Sequence, residues 1–221
     1  MNTYDGQEST DQKKYLSKDI KYIKERWDNR AGRWDADLKD EKCHLNRSGS
    51  YQRFIEILQF EFDKIEPTFK NGCLLDLGCG TGELLVHFAS QFHSAIGIDV
   101  SSKMLEHAKR KLSEKIILKE GDIFDKKIYP SNVKVVISRG ILLSHYGETL
   151  AKNLLQLIYS HLAKTGFLFL DVLQKTDGIV SYGKKMYSKQ ELINLFESVG
   201  FSNTTIYGES TYPILYIKAK K

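Results

Sequence analysis

The stretch LLDLGCGTGELL, Leu74 to Leu85, sets three glycines, Gly78, Gly80 and Gly82, at alternate positions directly after a short apolar run. Glycine reaches positive φ without steric cost but loses the most conformational entropy on folding, so this density marks a corner that a ligand or another backbone must approach closely. Before the corner, Cys73, Leu74, Leu75 and Leu77 read as a buried strand; after it, Leu84, Leu85, Phe88 and Phe92 fall at helical spacing. A strand is thus joined without slack to a helix N-terminus, whose free N–H groups and positive dipole end point at whatever lies over the turn.

Spacing separates the ligand classes that use such a corner. A P-loop needs a lysine after its last glycine, and none follows here. The dinucleotide fingerprint wants glycine or alanine at the position held by Glu83, whose carboxylate would repel a pyrophosphate. What is left is G-x-G-x-G preceded by Asp76, a loop suited to a ligand with a cationic amine and no phosphate. The run LLDLGCGTG resembles motif I of the class I S-adenosylmethionine-dependent methyltransferases, in their Rossmann-like, small-molecule type. The resemblance covers roughly residues 50–221, with its motif detail between 74 and 146.

The resemblance implies roles at further positions. In AIGIDVSSKML a second strand ends in Asp99, placed about 20 residues past the glycines to accept both hydroxyls of a ribose, with Val100 beside it. Ser101 or Ser102 is the N-cap of the next helix. Met104 on that helix is a candidate for the adenine face, with simple core packing as the alternative. In IILKEGDIFD, Asp122 would accept from the adenine amino group and Ile123 would cover the ring, while Asp125 reads as a turn residue. The strand VKVVIS runs into SRGILLSHY, where Ser138, Arg139 and Gly140 would touch the cofactor. Cys79 sits inside the corner, its backbone mattering more than its thiol. The [DN]-P-P-[YFW] motif of many enzymes acting on base amines is missing, which counts against a nucleic-acid base as acceptor.

For chemistry the candidate is His145, since imidazole takes a proton near neutral pH; capping a helix or holding a neighbour is the alternative. Arg139 could equally bind an acidic substrate group or form an ion pair. Ahead of the glycine corner, KYIKERWDNRAGRWDADL carries Trp27 and Trp34 on a charged helical segment. Several small-molecule methyltransferases have a similar segment across the cofactor mouth, so Trp27, Arg30 and Trp34 are expected to form a lid, with Trp34 on the cofactor, unless the indoles merely pack. YQRFIEILQFEF then presents Tyr51, Phe54, Ile55, Leu58 and Phe62 at helical spacing, a helix expected to pack on the sheet. The acceptor would lie among this front segment, residues 139–146 with Tyr146, and the loop 174–187 with Tyr182, Lys184 and Tyr187.

The rest of the chain predicts an α/β fold, a doubly wound, mostly parallel sheet with an antiparallel last strand, and the resemblance implies that it is Rossmann-like with seven strands and carries an N-terminal helical lid. TLAKNLLQLIYSHLA is an amphipathic helix and GFLFLDVL a buried strand. SKQELINLFESVGF is a helix capped by Ser188 with Glu191 reciprocal and ended by Gly200; TTIYGE and PILYIKAK make a hairpin-like pair. Residues 1–14 are expected as a disordered tail, 15–48 as the lid segment and 49–221 as one methyltransferase domain. The odd cysteines Cys43, Cys73 and Cys79 and the six histidines show neither disulfide nor metal spacing, so no metal is expected. The net charge of +5 comes from lysines spread through the chain, and the terminal KAKK is too short for a nucleic-acid arm. With no signal-peptide pattern and no apolar run of spanning length, a cytoplasmic monomer or homodimer that touches no membrane is expected. The implied activity moves a methyl group from S-adenosylmethionine to a small acceptor through oxygen, nitrogen or carbon, leaving S-adenosylhomocysteine. An RNA- or protein-modifying methyltransferase and a non-enzymatic S-adenosylmethionine-binding protein are the rivals.

Overall fold

A computed structural model describes residues 13–15, 18–38, 47–140, 142–177, 183–209 and 212–221. The expected disorder of the first residues, Cys43 and the predicted acceptor residue Tyr182 lie outside these ranges.

Seven strands form one sheet: β1 (Cys73–Leu77), β2 (Ser94–Asp99), β3 (Ile117–Glu120), β4 (Val133–Ser138), β5 (Leu162–Leu173), β6 (Ser202–Tyr207) and β7 (Ile214–Lys220). Their order is β3-β2-β1-β4-β5-β7-β6. The neighbours from β3 to β5 are parallel, and β7 runs antiparallel between β5 and β6, as the alternation of strand and helix followed by two successive strands predicts. The order reverses between β1 and β4, and in open α/β sheets the crevice beyond the carboxyl ends at such a reversal is where ligands sit.

Successive residues of each strand feed opposite faces. Leu75, Val136, Leu168 and Leu170 pack with Leu154, Leu155, Ile158, Leu192 and Phe196 on one side. Leu74, Val135, Ile137 and Phe169 pack with Phe54, Leu58, Phe62, Leu85 and Phe88 on the other. Among the described residues the helices that frame this sheet are α1 (Ile20–Asp28), α2 (Trp34–Leu38), α3 (Arg47–Lys64), α4 (Pro67–Lys70), α5 (Glu83–Phe88), α6 (Ser102–Lys111), α7 (Glu148–His161) and α8 (Lys189–Val199). Ser101 is the N-cap of α6, its hydroxyl accepting from Met104 N at 3.1 Å. The predicted capping box of α8 is present in both directions, and Gly200 closes that helix in the left-handed region. Asp125 is a turn residue, its carboxylate accepting from Lys127 N at 2.9 Å.

Two boundaries differ from expectation. α7 ends at His161, and β5 already begins at Leu162, which pairs with Val133. Leu162 and Ala163 continue the apolar pattern of the helix, so periodicity alone does not mark the change. The front segment is also interrupted: α1 stops at Asp28, and a 3-10 turn over Ala31–Arg33 redirects the chain into α2.

Candidate functional site

The glycine corner takes the backbone path that its composition demands. Gly78, Gly80 and Gly82 have φ of 70°, 53° and 80°, in the left-handed region that side chains disfavour. Gly78 N and Cys79 N donate to Ile98 O at 2.8 and 3.0 Å, stitching the corner to β2. Asp99, the last residue of β2, accepts from Gly80 N through one oxygen and from Ser101 N through the other, both at 2.8 Å. It therefore braces the corner whose ligand it was expected to hold. Gly82 has a different role: a Cβ there would stand 2.8 Å from Leu112 Cδ1 and 3.3 Å from Ala108 Cβ, so its bareness lets α5 lie against α6.

Above the corner, at the carboxyl ends of β1, β2 and β4, lies a cavity. Asp76, Gly78, Cys79 and Gly80 line its floor, Asp99, Val100 and Met104 one side, and Asp122 and Ile123 the next. Arg139, Gly140, His145 and Tyr146 close the side toward β4. Of the predicted cofactor contacts, Gly82 and Ser138 are not among the lining residues. The Ser138 hydroxyl instead donates to Leu77 O at 2.8 Å, tying β4 to β1.

Two carboxylates stand close together in this cavity. Asp76 is 1% exposed, and its Oδ1 is buried with no hydrogen-bond partner. Burial, then the neighbouring Asp99, push its carboxyl well above the usual carboxylate range. Burial likewise lifts Asp99 to about 6, against the pull of its two backbone donors. The Cys79 thiol is raised by burial and the same two carboxylates and stays protonated.

The front segment roofs the cavity. Trp27 and Trp34 meet edge to face at 5.2 Å, and the Arg30 guanidinium lies 5.4 and 5.5 Å from their rings. A Cβ on Gly80 would stand 3.5 Å from Trp34 Nε1, so that indole rests against the corner. Each tryptophan is followed by an aspartate that holds the roof down. Asp28 accepts from Ser101 Oγ at 2.6 Å, while Asp35 accepts from Thr81 Oγ1 and pairs with Lys111, both at 2.6 Å. Lys24 adds a contact to Glu120 at 2.7 Å and to Ser102 Oγ at 2.9 Å.

Residues 74–166 match a family described as "Methyltransferase domain". That match takes in the glycine corner, the paired carboxylates and the strands on either side of the order reversal, so over this stretch the chain is similar to methyltransferases. Similar proteins agree. A dTDP-3-amino-3,4,6-trideoxy-alpha-D-glucopyranose N,N-dimethyltransferase of Streptomyces venezuelae is 42% identical over 52 residues, covering 24% of this chain and 22% of the relative. An uncharacterized methyltransferase of Geobacillus sp. is 29% identical over 97 residues, covering 42% of this chain and 43% of the relative. The matches thus span less than half the length of either curated relative. The fold is shared more widely. Magnesium protoporphyrin IX methyltransferase of Synechocystis PCC 6803, solved with bound S-adenosylmethionine, superposes with a TM-score of 0.71 at 18% identity, over 92% of this chain and 97% of that one. DhpI in complex with S-adenosylhomocysteine gives 0.68 at 19%, over 90% and 95%.

Beside the corner a second cavity opens. It shares Trp27, Trp34, Arg139, Gly140 and His145 with the first and adds Arg26, Arg30, Ser50, Asp171, Lys184 and Ile214. His145 therefore faces both spaces, stacked on Tyr15 with ring centroids 4.7 Å apart. Enclosure of its ring, then Lys184 and Arg26, lower its pKa to about 3, so the imidazole is neutral at ordinary pH. Of the predicted acceptor residues, Trp27, Arg30 and Tyr146 line one or both cavities. Tyr187 does not: it is 1% exposed in the core, its hydroxyl donating to Leu143 O at 3.4 Å.

Several lining residues escape sequence reasoning. Tyr51, assigned by its spacing to the sheet-packing stripe of α3, lines the first cavity, with the Arg139 guanidinium 5.1 Å from its ring. Tyr15 and Thr81 line that cavity too, and Arg26 and Asp171 the second. The W-D repeat carried a usable signal for Thr81: an aspartate after each tryptophan needs a partner on the domain beneath.

Among the described residues no cluster of three or more histidine, cysteine, aspartate or glutamate side chains is arranged to hold a metal ion, and no helix is long and apolar enough to cross a membrane.

Proposed function

We propose that the chain is an enzyme that transfers a methyl group from S-adenosylmethionine to a small-molecule acceptor. The observation that carries this is the buried, unpartnered Oδ1 of Asp76 beside Asp99 over a glycine corner with no phosphate-binding lysine. These residues fit that donor. Asp76 complements a methionine ammonium, which would satisfy its orphan oxygen and hold it ionised. Asp99 accepts the ribose hydroxyls through lone pairs left over from its backbone donors. Met104 and Ile123 supply apolar surface for adenine, and Asp122 an acceptor for its amino group.

When bound, S-adenosylmethionine supplies a methyl carbon on a positively charged sulfur, so that in-line attack forms the new bond while the carbon–sulfur electron pair returns to sulfur. The chain's own task is alignment and exclusion of water. Trp27 and Trp34 cover the donor side, and the shared wall of Arg139, Gly140 and His145 places the acceptor next to it. Neutral His145 has a lone pair to take the nucleophile's proton where the acceptor carries one. A roof tied down over both cavities supports a small acceptor in preference to RNA or protein.

Calorimetric titration with S-adenosylmethionine and S-adenosylhomocysteine tests this. Micromolar binding is expected, weakened about 100-fold or more in Asp99→Ala, since charge-assisted bonds contribute about 1.5–3 kcal/mol each. A folded protein that binds neither ligand would remove the assignment.

A further inference from the structure

The second cavity gathers charge of one sign from separate parts of the fold. Arg26 comes from α1, Arg30 from the turn after it, Arg139 from the residue after β4, and Lys184 from the segment between β5 and α8. Among the described residues one carboxylate, Asp171, lines the same space; it is 2% exposed and accepts from Gly140 N at 2.9 Å. Asp37 pairs with Arg30 at 3.3 Å but is not among the lining residues. Four cationic side chains against one carboxylate in the lining favour a ligand of negative charge in this space. The cations also present donors suited to one ligand class, because guanidinium groups match oxyanions with two parallel bonds and ammonium groups add a point charge.

We infer that this cavity holds an oxyanion carried by the methyl acceptor, a carboxylate or a phosphate-type group, between Arg26, Arg30, Arg139 and Lys184. The inference rests on the methyl-transfer reading of the first cavity and names the substrate class that the second selects. An acceptor anchored there has its remaining atoms directed past the shared wall of Trp27, Trp34 and His145 toward the donor side. The anion also acts on His145, which Lys184, Arg26 and Arg30 surround with positive field. Offsetting that field makes the imidazole a better proton acceptor once the correct substrate is seated.

The probes are benzoate and inorganic phosphate, with neutral benzamide as the size-matched control, titrated at constant ionic strength into the protein saturated with S-adenosylhomocysteine. Expected is binding of at least one anion, at least tenfold tighter than benzamide. Lys184→Gln should weaken it at least fivefold while S-adenosylhomocysteine affinity stays within twofold. Arg26→Gln serves as the second variant should Lys184→Gln fail to fold. Preference for benzoate identifies a carboxylate acceptor, and preference for phosphate a phosphate-type one. Equal binding of benzoate and benzamide, no binding of either anion, or anion binding that neither folded variant weakens would overturn the inference. Because S-adenosylhomocysteine is measured in the same preparation, its failure to bind would instead overturn the donor assignment, and anion binding to that protein would still be read by the same variants.

Discussion

Burial of Asp99 and the ribose-binding role proposed for it have pH dependences of opposite sign. Burial raises its carboxyl from 3.8 to about 6, so the folded ligand-free chain holds this proton more tightly than the unfolded chain does. Its contribution to stability is therefore present in full below about pH 3.8 and is lost as pH rises through about 6. Accepting ribose hydroxyls requires the charged form. S-Adenosylhomocysteine affinity is thus expected to be flat above about pH 7 and to fall toward tenfold per pH unit below about 6. Asp28 and Lys24 also act on this carboxyl, and Asp76 adjoins it, so Asp99→Asn serves as the control in calorimetric titrations from pH 5 to 8. A wild-type affinity constant across that range would refute the role. Asp99 was legible in the sequence because its distance from the glycines is fixed by the length of one helix and one strand. Tyr51 was not, since helical spacing tells which side of α3 faces inward but not that its first turn reaches the edge of a cavity.

At the level of elements, the roof is held mainly by side chains that reach across to α6 and the corner. Lys111 pairs with Asp35 at 2.6 Å and Glu83 at 2.5 Å, joining the front segment to the start of α5. Such partly exposed pairs contribute about 0.2–1 kcal/mol each and weaken with salt. Lys111→Ala is therefore expected to speed S-adenosylhomocysteine dissociation roughly two- to fivefold at low salt, with the difference shrinking as salt is raised; stopped-flow release measures it. Equal rates in the two proteins would show that the roof does not depend on this clasp. The amphipathic helices and the capping box of α8 could be read from the chain because the relevant residues lie within a turn or two of one another. The break between α1 and α2 could not, since the Ala31–Arg33 turn is shaped by the surface it crosses, with Ala31 buried beneath it.

Across the whole molecule, α3 is fastened to the far strands by a buried carboxylate. Glu61 accepts from Tyr207 on β6 at 2.5 Å, pairs with Lys218 on β7, and meets Lys64 at 3.3 Å. Burial pushes its pKa up, but the bonds from Lys218 and Tyr207 outweigh burial and hold it below 4.5. Its contribution is then present above about pH 4.5 and lost as pH falls through the lower folded value. Glu61→Gln is expected to cost about 2 kcal/mol at neutral pH, read from urea midpoints, with the gap to wild type closing in acid. A gap that persists unchanged at pH 3 would contradict this. The mostly parallel sheet with its antiparallel last strand was foreseeable from the alternation of strands and helices, but this fastening joins residues 157 positions apart and left no local trace. The reversal of strand order between β1 and β4 has a further consequence. The floor and two sides of the first cavity come from the β1–β3 half, whereas Arg139, Asp171 and Ile214 reach the second cavity from β4, β5 and β7. Under the proposed function, substitutions in one half would change the acceptor while leaving the methyl-donor site of the other half intact.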